Sequence, residues 1–121
     1  MDFNKNQPIY LQIADYINEN ILLKKWKEGD RVLSVRELAM NLQVNPNTVM
    51  RSYTFLQNEE VLHNQRGIGY FITEGSLEKI KELKKIHFVD IDLPEVFKTG
   101  NLLGISPEEL SSYYQDFLKE A

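Results

Sequence analysis

Apolar positions recur along the first stretch of the chain at the spacing of a helix. Ile9, Ile13, Ile17 and Ile21 return every four residues with Tyr10 and Ala14 beside them, while Gln12, Asp15, Asn18 and Glu19 fall on the other side. That pattern predicts one amphipathic helix from about Pro8 to Leu23, with Pro8 suited to its first position. Glu28-Gly29-Asp30 predicts a turn. Ser34 and Glu37 have the S-x-x-E spacing of a capping box and open a short second helix. Leu38, Ala39 and Leu42 form its inner face, and it ends near Asn41 or Leu42. After a brief turn at Gln43-Val44, Asn45 supplies a cap and Pro46 a first residue for a third helix. Its Val49, Tyr53 and Leu56 face the core, and Asn47, Arg51, Thr54 and Asn58 share a different face.

Two short strands follow, about Val61 to Asn64 and Tyr70 to Thr73, around Gln65-Arg66-Gly67-Ile68-Gly69. Two glycines in a short loop between apolar runs predict a β-hairpin. The rest of the chain returns to helical spacing. Leu77, Ile80, Leu83 and Ile86 or His87 repeat along one helix, which Pro94 kinks or restarts. Ser106-Pro107-Glu108-Glu109 begins a last helix with a wide apolar stripe of Leu110, Tyr113, Tyr114, Phe117 and Leu118. The expected fold is mainly α with a small β-hairpin: an N-terminal winged helix-turn-helix over residues 1–75, then a C-terminal helical dimerisation appendage over 76–121. Leu83, His87, Phe97, Leu110, Tyr113, Tyr114 and Phe117 are the candidate dimerisation residues, because their stripes are too wide for a face in water.

Composition narrows the chemistry. The chain has 121 residues, 42% of them hydrophobic and 26% charged, which fits one ordered domain with an appendage. It has no cysteine, which excludes disulfides, a thiolate nucleophile and cysteine-based metal sites. No catalytic constellation can be assembled, and no cofactor or metal is expected. His63 and His87 lie far apart in different elements and belong to no ligand set. Gly67-Ile68-Gly69 lacks the third glycine and following helix of a dinucleotide fingerprint. Asp90, Asp92 and Glu95 read as a solvated face or a cap, since no loop has calcium-ligand spacing. The start, Met1 to Gln7, is polar and unlike a signal peptide, and no apolar run approaches the ~18 residues of a membrane helix. A cytoplasmic protein with no membrane partner is expected.

The net charge of -4 argues at first against a nucleic-acid partner. Its distribution reverses that. From Leu38 to Asn58 there is no acid, where a uniform spread of the 18 acids would put about three. Arg51 is the only formal charge there, and Arg66 the only one from Val61 to Thr73. Residues 1–75 hold 8 basic against 9 acidic side chains, so most of the excess acid belongs to the appendage. The acid-free parts are those that a winged helix-turn-helix presents to a duplex. The first turn of the third helix carries no acid, which leaves its amide end open to a phosphate or a base edge. Asn47 and Thr48 there are small hydrogen-bonding residues suited to such contacts. Arg36, near the start of the second helix, shares a phosphate with that helix end. Arg66 at the hairpin tip enters a minor groove or touches a phosphate, with Gly67 allowing close approach. Ser34 and Asn45, the caps of the two helices, complete the candidate DNA-binding set.

Pro8-Ile9-Tyr10-Leu11-Gln12-Ile13, Gly29-Asp30-Arg31, Ser34-Val35-Arg36-Glu37-Leu38-Ala39, Val44-Asn45-Pro46-Asn47-Thr48-Val49 and Arg66-Gly67-Ile68-Gly69 together resemble the GntR family of bacterial transcription regulators. The short helical C-terminal part resembles its YtrA-like subfamily. The resemblance implies dimers held mainly by a small helical appendage, without a larger effector-binding domain, and often linked to transporter operons. It implies that Arg36 contacts DNA from the second helix, that Asn47 and Thr48 start the recognition helix, and that Arg66-Gly67 lie in the wing. Arg51 lies in the same recognition helix, with its role left open. Three positions depart from the family pattern. Leu33 stands for a common proline, Glu60 for a common glycine, and the wing is less basic than usual. The function expected is a homodimeric repressor binding double-stranded DNA at an inverted repeat. The alternative is a winged-helix protein-interaction module without a DNA target. A small-molecule effector, if one acts, binds between subunits or between domain and appendage.

Overall fold

The computed structural model describes residues 7–121, so the polar start read above lies outside the described residues except for Gln7. Helix α1 spans Ile9–Leu22, α2 Val35–Leu42 and α3 Pro46–Asn58. Strands β1, Leu62–Gln65, and β2, Gly69–Ile72, pair antiparallel with Leu62 opposite Ile72 and Gln65 opposite Gly69. Helix α4 is Ser76–His87. A π-helical turn, Phe88–Asp92, leads into α5, Leu93–Leu102, and α6 is Pro107–Glu120. The chain is mainly helical with one hairpin, the winged helix-turn-helix order read from the sequence.

Residues up to Glu82 form one compact unit and Leu83–Ala121 another. In the first, Ile13, Ile17 and Ile21 of α1 meet Leu38 and Ala39 of α2 and Val49, Tyr53 and Leu56 of α3, closed by Val61, Leu62 and Ile72 of the hairpin region. Ile80 of α4 joins this core. Two details of α1 differ from the periodicity. Pro8 precedes the helix as its cap residue, and its carbonyl accepts from the amides of Leu11 and Gln12. Gln12 is buried rather than solvated, with its amide donating to the Gln7 carbonyl at 2.7 Å, while Ile9 is exposed. A buried polar side chain is tolerated where it is hydrogen-bonded.

The hairpin has a third partner. Residues 29–32 run along β2, with Val32 N–H donating to Tyr70 O at 2.9 Å and Ile72 N–H donating to Asp30 O at 2.9 Å. The predicted turn therefore continues as a bridge on the outer edge of β2. The same turn holds α4. The Glu28 carboxylate accepts from Leu77 N–H at 3.1 Å, and the Gly75 and Leu77 amides hold its carboxyl below the usual carboxylate range.

Helices α1, α2 and α3 are each followed by a non-glycine residue in the left-handed region: Lys24, Gln43 and Glu60, at φ 60, 57 and 64. Glu60 takes this conformation where the family commonly has glycine, and its carboxylate pairs with Lys79 of α4 at 3.1 Å. The pair is exposed, so it offsets only part of the strain.

The second unit is described by itself. Pro94 lacks an amide proton and would clash with the carbonyl four residues back in a continuous α-helix. The chain meets this with the five-residue π-helical turn just before α5 instead of a sharp break, and Pro94 occupies the first turn of α5. The Oγ of Ser106 caps α6 by accepting from Glu109 N–H at 3.1 Å. The Glu109 carboxylate accepts from the Tyr113 hydroxyl at 3.0 Å, a bond that raises the Tyr113 pKa. No residue from Leu83 to Ala121 is buried.

Candidate nucleic-acid interface

Helices α2 and α3 are joined by the left-handed turn at Gln43 and locked from below. Tyr53 of α3 is buried, and its hydroxyl donates to the carbonyl of Leu33, one residue before the α2 cap, at 2.6 Å. Burial raises the Tyr53 hydroxyl pKa well beyond its ordinary value, helped by the charge of Glu37 and by Tyr70. Ser52, also buried, sets its hydroxyl 2.7 Å from the Tyr10 carbonyl and 3.1 Å from the Thr48 carbonyl, tying α3 to α1. These ties fix which side chains α3 presents outward.

Ser34 forms the full capping box. Its Oγ accepts from Glu37 N–H and its own N–H donates to the Glu37 carboxylate, both at 3.1 Å. That backbone bond, then the Ser34 hydroxyl, holds the Glu37 carboxyl below its usual range. Arg36, two residues after the cap, is exposed. The amides of Val35 and Arg36 have no partner among the described residues, so α2 keeps an open N-terminus beneath that guanidinium.

The start of α3 differs from the expectation of an open amide end. Pro46 has no N–H, Asn47 N–H donates to the Asn45 side chain at 2.8 Å, and Thr48 and Val49 donate to the Asn45 carbonyl. The proline and the cap together use up the first turn. Contacts from this end must therefore come from side chains. Asn47 is exposed and Thr48 half-buried. Arg51, Thr54 and Asn58 are exposed on the face read from the sequence. The Arg51 guanidinium stacks over the Tyr10 ring at 3.9 Å, which leans it toward α1.

The wing tip is Arg66-Gly67-Ile68, closed by Ile68 N–H donating to Gln65 O at 2.8 Å. Gly67 takes φ +80, a conformation that favours glycine, and Arg66 is exposed beside it. Among the described residues no ion pair engages Arg36, Arg51 or Arg66. The structure thus brings Ser34, Arg36, Asn45, Asn47, Thr48 and Arg51 onto α2 and α3, and Arg66 and Gly67 onto the wing. The candidate dimerisation residues Leu83, His87, Phe97, Leu110, Tyr113, Tyr114 and Phe117 all fall in the second unit, where only Leu110 is half-buried.

Two further side chains belong to the first group. Arg31 lies against the wing, its Nε 2.8 Å from where a Cβ would stand on Gly69. Its place follows from the 29–32 bridge to β2, which four residues show by no periodicity. Met50 lies exposed on α3 next to Tyr70. The histidines stand apart from this surface's chemistry: His63 stacks on Phe71 at 5.9 Å, and His87 lies 3.6 Å from Asp92. Among the described residues no group of three or more His, Asp or Glu could hold a metal ion, and no helix is long and apolar enough to cross a membrane.

Known proteins share this arrangement. A putative transcriptional regulator of the GntR family from Bacteroides thetaiotaomicron is 43% identical, with a TM-score of 0.75 over 93% of this chain and 98% of that one. The uncharacterized HTH-type transcriptional regulator YhcF of Bacillus subtilis is 38% identical over 89% of this chain and 88% of its own. The HTH-type transcriptional repressor YtrA of the same organism is 31% identical over 96% and 88%. The model of the bacterial regulatory proteins, gntR family, matches residues 9–72. With its winged helix-turn-helix and a YtrA-like extent, this chain belongs to the GntR family and is a DNA-binding transcriptional regulator.

Proposed function

We propose that the protein is a homodimeric, cytoplasmic repressor that binds an inverted-repeat operator. In this reading residues 1–75 are the DNA-binding domain and 76–121 the dimerisation region. Each subunit lays α3 in a major groove, with half-sites about one helical turn apart. Asn47 and Thr48 reach base edges, Arg36 and the open end of α2 take a phosphate, Arg51 lies along α3, and Arg66-Gly67 touch the backbone or minor groove. Ser34 and Asn45 set the two helix starts. The observation that carries the reading is the acid-free outer face of α3 and the wing, bordered by three arginines without ion pairs. The dimer is supported by a second unit whose aromatic and aliphatic side chains find no core of their own. Repression is supported by the relative named a repressor.

The test is a mobility shift with duplexes selected from a random pool. Wild type is expected to bind a palindromic site as a dimer at moderate salt. Arg36→Ala should weaken binding by about 1–3 kcal/mol, roughly equally across sequences. Absence of specific binding by wild type would overturn the reading and favour a winged-helix protein-interaction module.

A further inference from the structure

One residue of the α3 outer face does not fit a purely polar surface. Met50 is 43% exposed. Positions 47, 50, 51 and 54 follow i, i+3, i+4 and i+7, so this methionine sits among Asn47, Arg51 and Thr54. It is also held. The Tyr70 hydroxyl on β2 donates to its Sδ at 3.7 Å. The Tyr70 ring meets Tyr53 edge-on at 5.0 Å, and Tyr53 is bonded to the Leu33 carbonyl. Met40 on α2 is more exposed, at 78%, with no hydroxyl on its sulfur among the described residues. Met50 is thus steered from the wing side, while Arg51 leans the other way over Tyr10.

In the major groove the base pairs differ by donors, acceptors and one apolar feature, the C5-methyl group of thymine. An apolar tip held on an acid-free polar face matches that feature. We propose that Met50 reads the C5-methyl of a thymine in each half-site, with Tyr70 as its positioning residue. The proposal rests on the reading of α3 as the helix that enters the major groove. Methionine suits the contact, being flexible and polarizable, and a single hydroxyl at its sulfur limits that freedom.

The test uses the full chain and a duplex selected from a random pool, with each thymine replaced singly by deoxyuridine. This removes the methyl group and keeps the pairing edge. Wild type is expected to lose about fourfold in affinity at one thymine per half-site, the value of burying one methyl-sized group. Met50→Ala should bind the thymine and deoxyuridine duplexes equally at that position, and Met50→Leu should keep the preference. Tyr70→Phe, which keeps the ring, should lower the thymine preference and leave discrimination at the other base pairs intact. If wild type binds its selected duplex but no thymine matters, or the preference survives in Met50→Ala, the proposal fails while the DNA reading stands. If wild type selects no duplex, the reading beneath it fails and takes the proposal with it.

Discussion

Replacing Tyr53 by phenylalanine should weaken the helix-turn-helix at neutral pH and make it less sensitive to alkali. The side chain is 1% exposed, and its hydroxyl donates to the Leu33 carbonyl at 2.6 Å. Phenylalanine keeps the ring against Tyr70 but leaves that carbonyl unpaired. Stranding one buried acceptor costs about 1–3 kcal/mol. The pH dependence runs the other way. Burial favours the neutral hydroxyl, so the folded pKa is raised above the unfolded value of 10.0. The stability this contributes is complete below pH 10 and is lost as pH rises, because the unfolded chain releases the proton first. By pH 11 that loss is about 1.4 kcal/mol relative to pH 9, and the phenylalanine variant does not share it. Urea unfolding followed by circular dichroism at pH 7, 9, 10 and 11 measures both effects, at one fixed protein concentration because a dimer's stability depends on it. The gap between the proteins should be about 1–3 kcal/mol at pH 7 and narrow by about 1.4 at pH 11. Equal stability at pH 7, or parallel decline up to pH 11, would refute the assignment of this hydroxyl as the clamp between α2 and α3.

Glu60→Gly relieves a left-handed residue at about 1 kcal/mol and loses an exposed pair worth less than about 1. Thermal melting should show it unchanged or more stable, and a clear loss would show that Lys79 is a main hold on α4. Phe117 is 63% exposed on α6, and Phe117→Asp should turn a sedimenting dimer into a monomer at micromolar concentration and weaken operator binding. A monomeric wild type would contradict the assembly. The three unpaired arginines per subunit limit phosphate neutralisation, so log affinity against log salt should fall with a slope of about −5 or shallower. A slope near that of a protein neutralising about ten phosphates would show charges acting beyond those named.

The first unit was legible because its signals are local. Ser34 and Glu37 three residues apart, and Asn45 before Pro46, each mark a helix start by hydrogen bonds that span one turn. Val49, Tyr53 and Leu56 mark the core by period alone. What stayed hidden depends on contacts distant in sequence. Arg31 reaches the wing only because residues 29–32 pair with β2, and Gln12 is buried because its amide finds a carbonyl outside the helix. The ends of α1, α2 and α3 gave no glycine to read, since Lys24, Gln43 and Glu60 take the left-handed turns. The route past Pro94 was open between a kink and a restart, because a proline states what it forbids and leaves the adjustment to the neighbouring turn.

The distribution of charge sets how such a protein distinguishes its site from other DNA. A strongly basic surface gains affinity on every duplex through counterion release, which carries no sequence information. Here the excess acid sits in residues 76–121, and the outer face of α3 carries one arginine, itself leaning on Tyr10. Little of that face is given to bulk attraction. Asn47, Thr48 and Met50 then carry a larger share of the binding, and those are groups whose contacts differ from base to base. The used-up amides at the start of α3 act in the same direction. A free helix end accepts any phosphate, whereas side chains projecting from a capped end must meet a particular edge. The less basic wing and the capped recognition helix therefore belong together: each lowers affinity for DNA in general and leaves the discrimination to short side chains on a rigid face.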